Sequence, residues 1–312
     1  MQLPLFNFFE FPKHPQLYAA LRSAGPARAW ELMSELSDLD RPLYTAQLAG
    51  KANPSELAAR TLQFMQAAPA LSERSLETDA RRFASYGPRL QFEVSFISLW
   101  LNDPDTLFGE VIEVVGEKNL RAAQDRGNGV LVLPVHLGPS YVIAPVMSNH
   151  IATTTVFNRI NFDEMKAATF PDLPVEGFSL DSGSAYRSGL SALRAGRAFS
   201  IFPEIDPRGI DDHHERIPFL GTTVMAPTGP VIISKAARAP MVPVAIESNG
   251  DGTFTMTYHE PIEPPSSRDE VSARLLDVWS AIENTLVTGE PSDWEIWIEF
   301  DRMLPATLAT AS

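Results

Sequence analysis

The chain has 312 residues, 44% of them hydrophobic, and carries a formal net charge of -14. That is enough apolar sequence for one large domain, or for a domain with a smaller appendage, and the wrong sign of charge for nucleic acid or an anionic membrane surface. Cysteine is absent, which excludes disulfides, a thiolate nucleophile and a Cys-based metal site, and suits a reducing compartment.

The opening residues are apolar over only a short stretch and lack a basic segment and a small-residue cleavage site, so they do not read as a signal peptide. No run approaches the roughly 18 apolar residues of a membrane span. The expectation is a soluble, cytoplasmic protein with at most peripheral membrane contact.

Residues 1–110 read as a helical N-terminal portion. Asn53-Pro54-Ser55-Glu56 opens a helix, with Leu57, Leu62 and Phe64 at its apolar positions. Leu90 to Leu101, with Phe92, Val94, Phe96, Ile97, Leu99 and Trp100, is a strongly apolar helical stretch. It reads as core, or as one wall of a groove for an acyl chain. Asn102-Asp103-Pro104-Asp105 breaks it.

From residue 111 the texture changes to alternating strands and helices. Strands are expected at Val111–Val115, from Val130, at Ala152–Phe157, Val175–Leu180, Ala198–Phe202 and Val242–Glu247. Thr253–Tyr258 alternates like an edge or antiparallel strand. Helices fall over Glu117–Asp125, after Pro139, over Asp163–Thr169, from an Asp181-Ser-Gly-Ser cap to Leu193, over Pro227–Arg238, Arg268–Thr288 and Trp294–Met303. After Pro203-Glu204 a long polar loop is expected to run to Arg216. Repeated βα units imply an α/β fold, with a mostly parallel central sheet flanked by helices over residues 111–312.

Gly129-Val-Leu-Val-Leu-Pro-Val-His136 places a histidine where a fully apolar strand ends, and Gly138 and Pro139 stop the strand. In open α/β sheets the carboxyl ends of strands are where reacting groups gather. A second strand ends in Pro203-Glu204. A histidine beside a carboxylate is the usual general-base pair, because the acid fixes the imidazole tautomer and stabilises the imidazolium that forms. His136 and Glu204 are therefore the catalytic candidates.

Arg159 and Arg208 have the chemistry to bind a phosphate, or to pair on the surface. Thr228-Gly229 begins a helix whose backbone N–H groups would suit an anion, or form a plain helix entry. Ser140, four residues after His136, would share its side of a helix. No Gly-x-Ser-x-Gly elbow surrounds it, so a serine nucleophile is disfavoured. Asp211-Asp-His-His-Glu215 has the composition of a metal site, but adjacent histidines converge poorly and a solvated loop is the better reading. No metal or cofactor is expected.

Several segments, in order, resemble the lipid A biosynthesis acyltransferases, the lauroyl and myristoyl transferases and the phosphatidylinositol mannoside acyltransferases related to them. They are Gly127 to Gly138 around His136, then Arg159, Ser182 to Gly196, and Phe202-Pro-Glu204-Ile-Asp-Pro-Arg208-Gly209. Ile217 to Gly221, Ala226-Pro-Thr228-Gly229-Pro230, Val242-Pro243-Val244 and Pro291-Ser-Asp-Trp294-Glu-Ile-Trp297 complete the series. The resemblance spans about residues 85 to 303.

It implies a glycerolipid-acyltransferase-like fold. The implied reaction moves an acyl group from a thioester, on acyl carrier protein or coenzyme A, to a hydroxyl or amine. In that family a His-x4-Asp or His-x4-Glu motif supplies base and acid. His136 matches the histidine, but Tyr141 stands at the acid position, and a neutral phenol does not stabilise an imidazolium as a carboxylate does.

Three consequences stay open. Glu204 replaces the acid, the acceptor is a better nucleophile such as an amine or hydroxylamine, or transfer is lost and the scaffold remains as an acyl- or carrier-binding protein. A thioester hydrolase is a further alternative. The lack of the N-terminal anchor common in the lipid A enzymes tilts the expected acceptor towards a soluble or amphiphilic small molecule, as in specialised-metabolite biosynthesis. Ser140, Tyr141, Arg159, Arg208, Thr228 and Gly229 are the expected substrate-binding residues.

Overall fold

A computed structural model describes residues 14–48, 54–157, 162–179, 185–204 and 213–305. Helices dominate the first third: α1 (Pro15–Ala24), α2 (Pro26–Leu48), α3 (Pro54–Gln66), α4 (Leu76–Phe83), α5 (Tyr86–Ser98) and the short α6 (Pro104–Thr106). Pro15, Pro26, Pro54 and Pro104 each begin one, where a missing N–H costs nothing. Asp103 caps α6 by accepting from the Thr106 N–H, which is the break expected at Asn102–Asp105.

Alternation then sets in. β1 (Ile112–Val115), α7 (Glu117–Gln124), β2 (Val130–Pro134), α8 (Ile143–Met147), β3 (Thr153–Phe157), α9 (Phe162–Thr169), β4 (Val175–Ser179), α10 (Ala185–Arg194) and β5 (Ala198–Ser200) follow in turn. After them come β6 (His214–Phe219), β7 (Thr222–Pro227), α11 (Gly229–Ala237), β8 (Met241–Ser248), β9 (Phe254–Tyr258), α12 (Val271–Thr288) and α13 (Phe300–Met303).

Seven strands form one sheet in the order β1-β9-β8-β2-β5-β3-β4, and β6 pairs with β7 as a separate antiparallel hairpin. The run from β8 to β4 is parallel throughout. β9 turns antiparallel to β8, and β1 lies parallel to β9. The protein is thus α/β, with a mostly parallel sheet flanked by helices. All five residues of β2 are buried, as a central strand covered on both faces requires.

Gly129, just before β2, has φ +68°, and a Cβ there would lie 2.6 Å from the Leu193 carbonyl oxygen. Only glycine admits both the left-handed backbone and that close approach.

Three expectations are corrected. The polar loop drawn to Arg216 ends earlier, because Arg216, Ile217 and Phe219 belong to β6, paired with β7. Thr253–Tyr258 does run antiparallel to β8, but it is not an edge, since β1 covers its other side. Trp294–Met303 is not one helix. Trp294 is extended at φ -84°, ψ 112°, between 3-10 turns at Pro291–Asp293 and Glu295–Glu299, because it bridges to Leu137.

One hydrophobic cluster runs across residue 110. Trp30 of α2 packs edge-on against Phe92 and Phe96 of α5 and against Phe254 of β9. Phe96, Ile97 and Trp100 are at most 3% exposed. Most of the apolar stretch of α5 is therefore core, with Phe92 partly buried against it. Across the molecule, α12 presents Leu275, Val278, Trp279, Ile282 and Leu286 at helical spacing to the interior.

Candidate active site

β2 and β5 are neighbours, with Val130 opposite Ala198, so the segments leaving their carboxyl ends emerge side by side. Gly138 has φ +57°, and a Cβ there would meet the Ile246 carbonyl oxygen at 2.5 Å. Glycine is what lets the chain fold back at once after His136. The Val135 N–H still donates to Val244, but beyond it Leu137 donates to Val135 in a tight turn, and His136 points out of the sheet's hydrogen-bond ladder.

Glu204, 1% exposed, meets this histidine twice. Its Oε2 is 2.8 Å from His136 Nδ1, and its Oε1 accepts from the His136 backbone N–H at 2.8 Å. With Oε2 as the acceptor, Nδ1 carries the proton and Nε2 keeps its lone pair. Phe202 stacks on the imidazole with centroids 3.8 Å apart and planes 26° from parallel. The His136 side chain is 14% exposed, so the ring is held tightly yet reaches solvent.

Burial opposes charge on His136, but the Glu204 carboxylate and its hydrogen bond outweigh it, with Glu295 and Glu299 adding to them. The net effect raises the histidine's pKa.

A third strand-like contact completes the site. Leu137 bridges Trp294, Glu295 donates its N–H to the His136 carbonyl at 2.8 Å, and Gly138 donates to the Asp293 carbonyl at 3.0 Å. The Trp294 indole N–H donates to Glu204 Oε1 at 3.1 Å. Tyr141 donates its hydroxyl to Glu295 Oε2 at 2.7 Å, and its ring lies 6.4 Å from the imidazole. Lost hydration and the Glu295 carboxylate both push the phenol's pKa up. With 44% of the residue exposed, the carboxylate is the firmer cause. Tyr141 remains a neutral donor.

Of the expected site residues, His136, Glu204 and Tyr141 are thus brought together. Ser140 is 1% exposed, and its hydroxyl has no hydrogen-bond partner among the described residues. It begins a 3-10 turn, Ser140–Val142. No helix runs from His136 to Ser140, so the shared helical face expected for the pair does not exist.

Thr228 donates both its N–H and its hydroxyl to the His213 carbonyl at 2.9 Å. Those donors tie α11 to the hairpin and are not available to an anion; Gly229 follows as the first residue of α11. Arg159 and Arg208 lie outside the described residues, as do Asp211 and Asp212 of the metal-like stretch. His214 and Glu215 stand in β6.

Phe202, Trp294 and Glu295 are the residues that sequence reasoning did not assign to the site. The signal for Trp294 was its place in Pro291–Trp297, where a tryptophan's N–H must find a partner once buried.

The α/β sheet thus carries a histidine–carboxylate pair just beyond the carboxyl ends of two adjacent parallel strands, where open α/β sheets gather their ligands. Residues 80–299, more than two thirds of the chain, match the bacterial lipid A biosynthesis acyltransferase family model, and the chain belongs to that family. Among solved structures it is similar to the 1-acyl-sn-glycerophosphate acyltransferase PlsC from Thermotoga maritima. The two share 16% identity over 74% of this chain and 95% of that one, with a TM-score of 0.37. No curated protein matches the sequence. Among the described residues no helix is long and apolar enough to cross a membrane.

Proposed function

We propose that this acyltransferase-family protein moves an acyl group from a thioester of coenzyme A or acyl carrier protein to a hydroxyl or amine of a soluble or amphiphilic acceptor. The observation that carries this reading is the double grip of Glu204 on the His136 ring and backbone. His136 Nε2 takes the acceptor's proton as its oxygen or nitrogen attacks the thioester carbonyl. The tetrahedral intermediate collapses, the carbon–sulfur bond breaks, and the leaving thiolate recovers the proton from the imidazolium.

Glu204 fills the role left open by Tyr141. It holds the imidazole in the reactive tautomer and opposes the positive charge as it forms. Such pairing favours the first of the three consequences of that substitution, replacement of the acid, over a silent scaffold. No metal or cofactor is assigned a part; the acyl thioester is a co-substrate.

The test is turnover followed by mass spectrometry, with acyl thioesters of several lengths and a panel of alcohol, amine and hydroxylamine acceptors. An acyl adduct is expected, and His136→Ala should slow its formation by roughly 10²–10⁴-fold. Because only the neutral imidazole accepts a proton and Glu204 raises its pKa, kcat/KM should climb with pH through a midpoint above the ordinary histidine value of about 6.5. Thiol release without an adduct would make the protein a hydrolase. Thioester binding without turnover would make it a silent scaffold.

A further inference from the structure

We propose that Trp294 is a positioning residue of the His136–Glu204 pair: its indole N–H holds the Glu204 carboxylate in register and thereby sets the proton affinity of the imidazole. This inference deepens the general-base reading and rests on it for its catalytic consequence, but not for its geometry.

Glu204 lies four residues beyond the end of β5, in a segment outside any strand. A side chain there needs external donors to hold one orientation. Its Oε2 is committed to the imidazole at 2.8 Å. Its Oε1 is fixed by two donors, the His136 backbone N–H at 2.8 Å and the Trp294 indole N–H at 3.1 Å.

The indole is itself enclosed by packing. Trp294 is fully buried and packs perpendicular to Trp297 at 5.0 Å, with Phe219 at 5.7 Å and Phe300 at 6.0 Å. The backbone on either side of it, through Asp293 and Glu295, is bonded to Gly138 and His136. One residue thus ties the acid, while its neighbours tie the loop that carries the base.

The charged and titratable groups around the imidazole are Glu204 after β5, Tyr141 on the turn after β2, and Glu295 and Glu299 on the closing segment. Of the closing-segment pair, Glu299 is ion-paired with Arg302, and Glu295 accepts the Tyr141 hydroxyl. From that segment, the Trp294 indole supplies a direct hydrogen bond to Glu204. Removing its N–H leaves more negative charge on the carboxylate, which favours the imidazolium.

The experiment is Trp294→Phe, which keeps an aromatic ring in the cluster and deletes the donor. The His136 midpoint would be read by NMR titration of labelled histidine and compared with the acidic limb of kcat/KM. A hydrogen bond to a charged group corresponds to an upward shift of roughly one pKa unit when it is lost, and both measurements should move together. A midpoint that stays in place or falls, in a folded variant, overturns the proposal.

Should Trp294→Phe not fold, Glu204→Gln serves instead, and one indole N–H resonance must then move upfield. If none moves, Trp294 does not hold Glu204. The titration needs no substrate. A shifted midpoint in a protein without transferase activity would retain this inference and reject the function, whereas an unshifted midpoint in an active one would do the reverse.

Discussion

Two buried carboxylates stand on either side of the segment around Trp294, and they have opposite fates. Glu204 faces a histidine whose pKa it raises, and it bonds that ring at Nδ1, leaving Nε2 without a partner among the described residues. Asp293, 4% exposed, is held by Arg82 at 3.2 Å from the end of α4 and, in a very short contact, by Arg89 of α5. Guanidinium groups do not lose their charge at any working pH, so the Asp293 cluster is a fixed clamp. It joins the N-terminal helices to the closing segment, and through the Asp293 carbonyl to Gly138. Burial of a carboxylate is common to both places. The partner decides whether the carboxylate is coupled to a group that can exchange a proton or is locked in a permanent ion pair.

Asp293 also lines a cavity of about 240 Å³ behind the His136 loop, together with Glu247 and Glu290. Its neighbour Glu93, 4% exposed, shows what happens to an acid there without a full ion pair. Burial pushes it up to about 7, Asp293 adds to the rise, and Arg89 opposes it.

The comparison can be broken most forcefully at the clamp. Arg89→Met leaves Asp293 buried with Arg82 as its one described cation, and should lower the unfolding free energy by roughly 3 kcal/mol in denaturant titration. The His136 midpoint should stay in place, because Arg82 still anchors the segment. A moved midpoint would show that the clamp and the His136–Glu204 pair are one device.

Glu93→Gln is a smaller change with a definite sign. Because its folded pKa is raised from 4.5 to about 7, the native state holds a proton that the unfolded chain has lost. The carboxylate therefore costs stability increasingly as pH rises from about 4.5 to 7, and fully above that. Glutamine mimics the protonated acid. The thermal midpoint should be nearly unchanged at pH 4.5 and higher at pH 8, by the equivalent of about 3 kcal/mol.

Least is expected of Tyr141→Phe. It removes one exposed hydrogen bond to Glu295, worth about 1 kcal/mol at most, so kcat/KM should fall by less than about tenfold. A loss approaching that of His136→Ala would place the phenol among the reacting groups and undercut the assignment of the acid role to Glu204.

Much of this architecture was legible beforehand. The βα alternation from residue 112 to β5 came out with boundaries shifted by a few residues at most, since buried apolar runs and Gly or Pro stops are local signals. The hairpin β6–β7 was missed. Its strand His214–Phe219 starts among charged residues and contains Pro218, which the eye reads as loop. Trp294 was missed as a site residue because its extended backbone comes from pairing with Leu137, and helical spacing of the surrounding apolar residues concealed it.

By itself, the sequence determined a covered apolar strand ending in His136, a second one leading to Glu204, and the turn glycines that stop them. Those are consequences of side-chain period and backbone sterics within a few residues. Tertiary structure alone decided that β2 and β5 are neighbours, and hence that the pair exists. It also decided that the bonds to Glu204 come from 68 and 90 residues away and that Tyr141 meets Glu295 across 154. Strand order follows from how whole βα units pack over one another, and no local pattern encodes which strand will lie beside which.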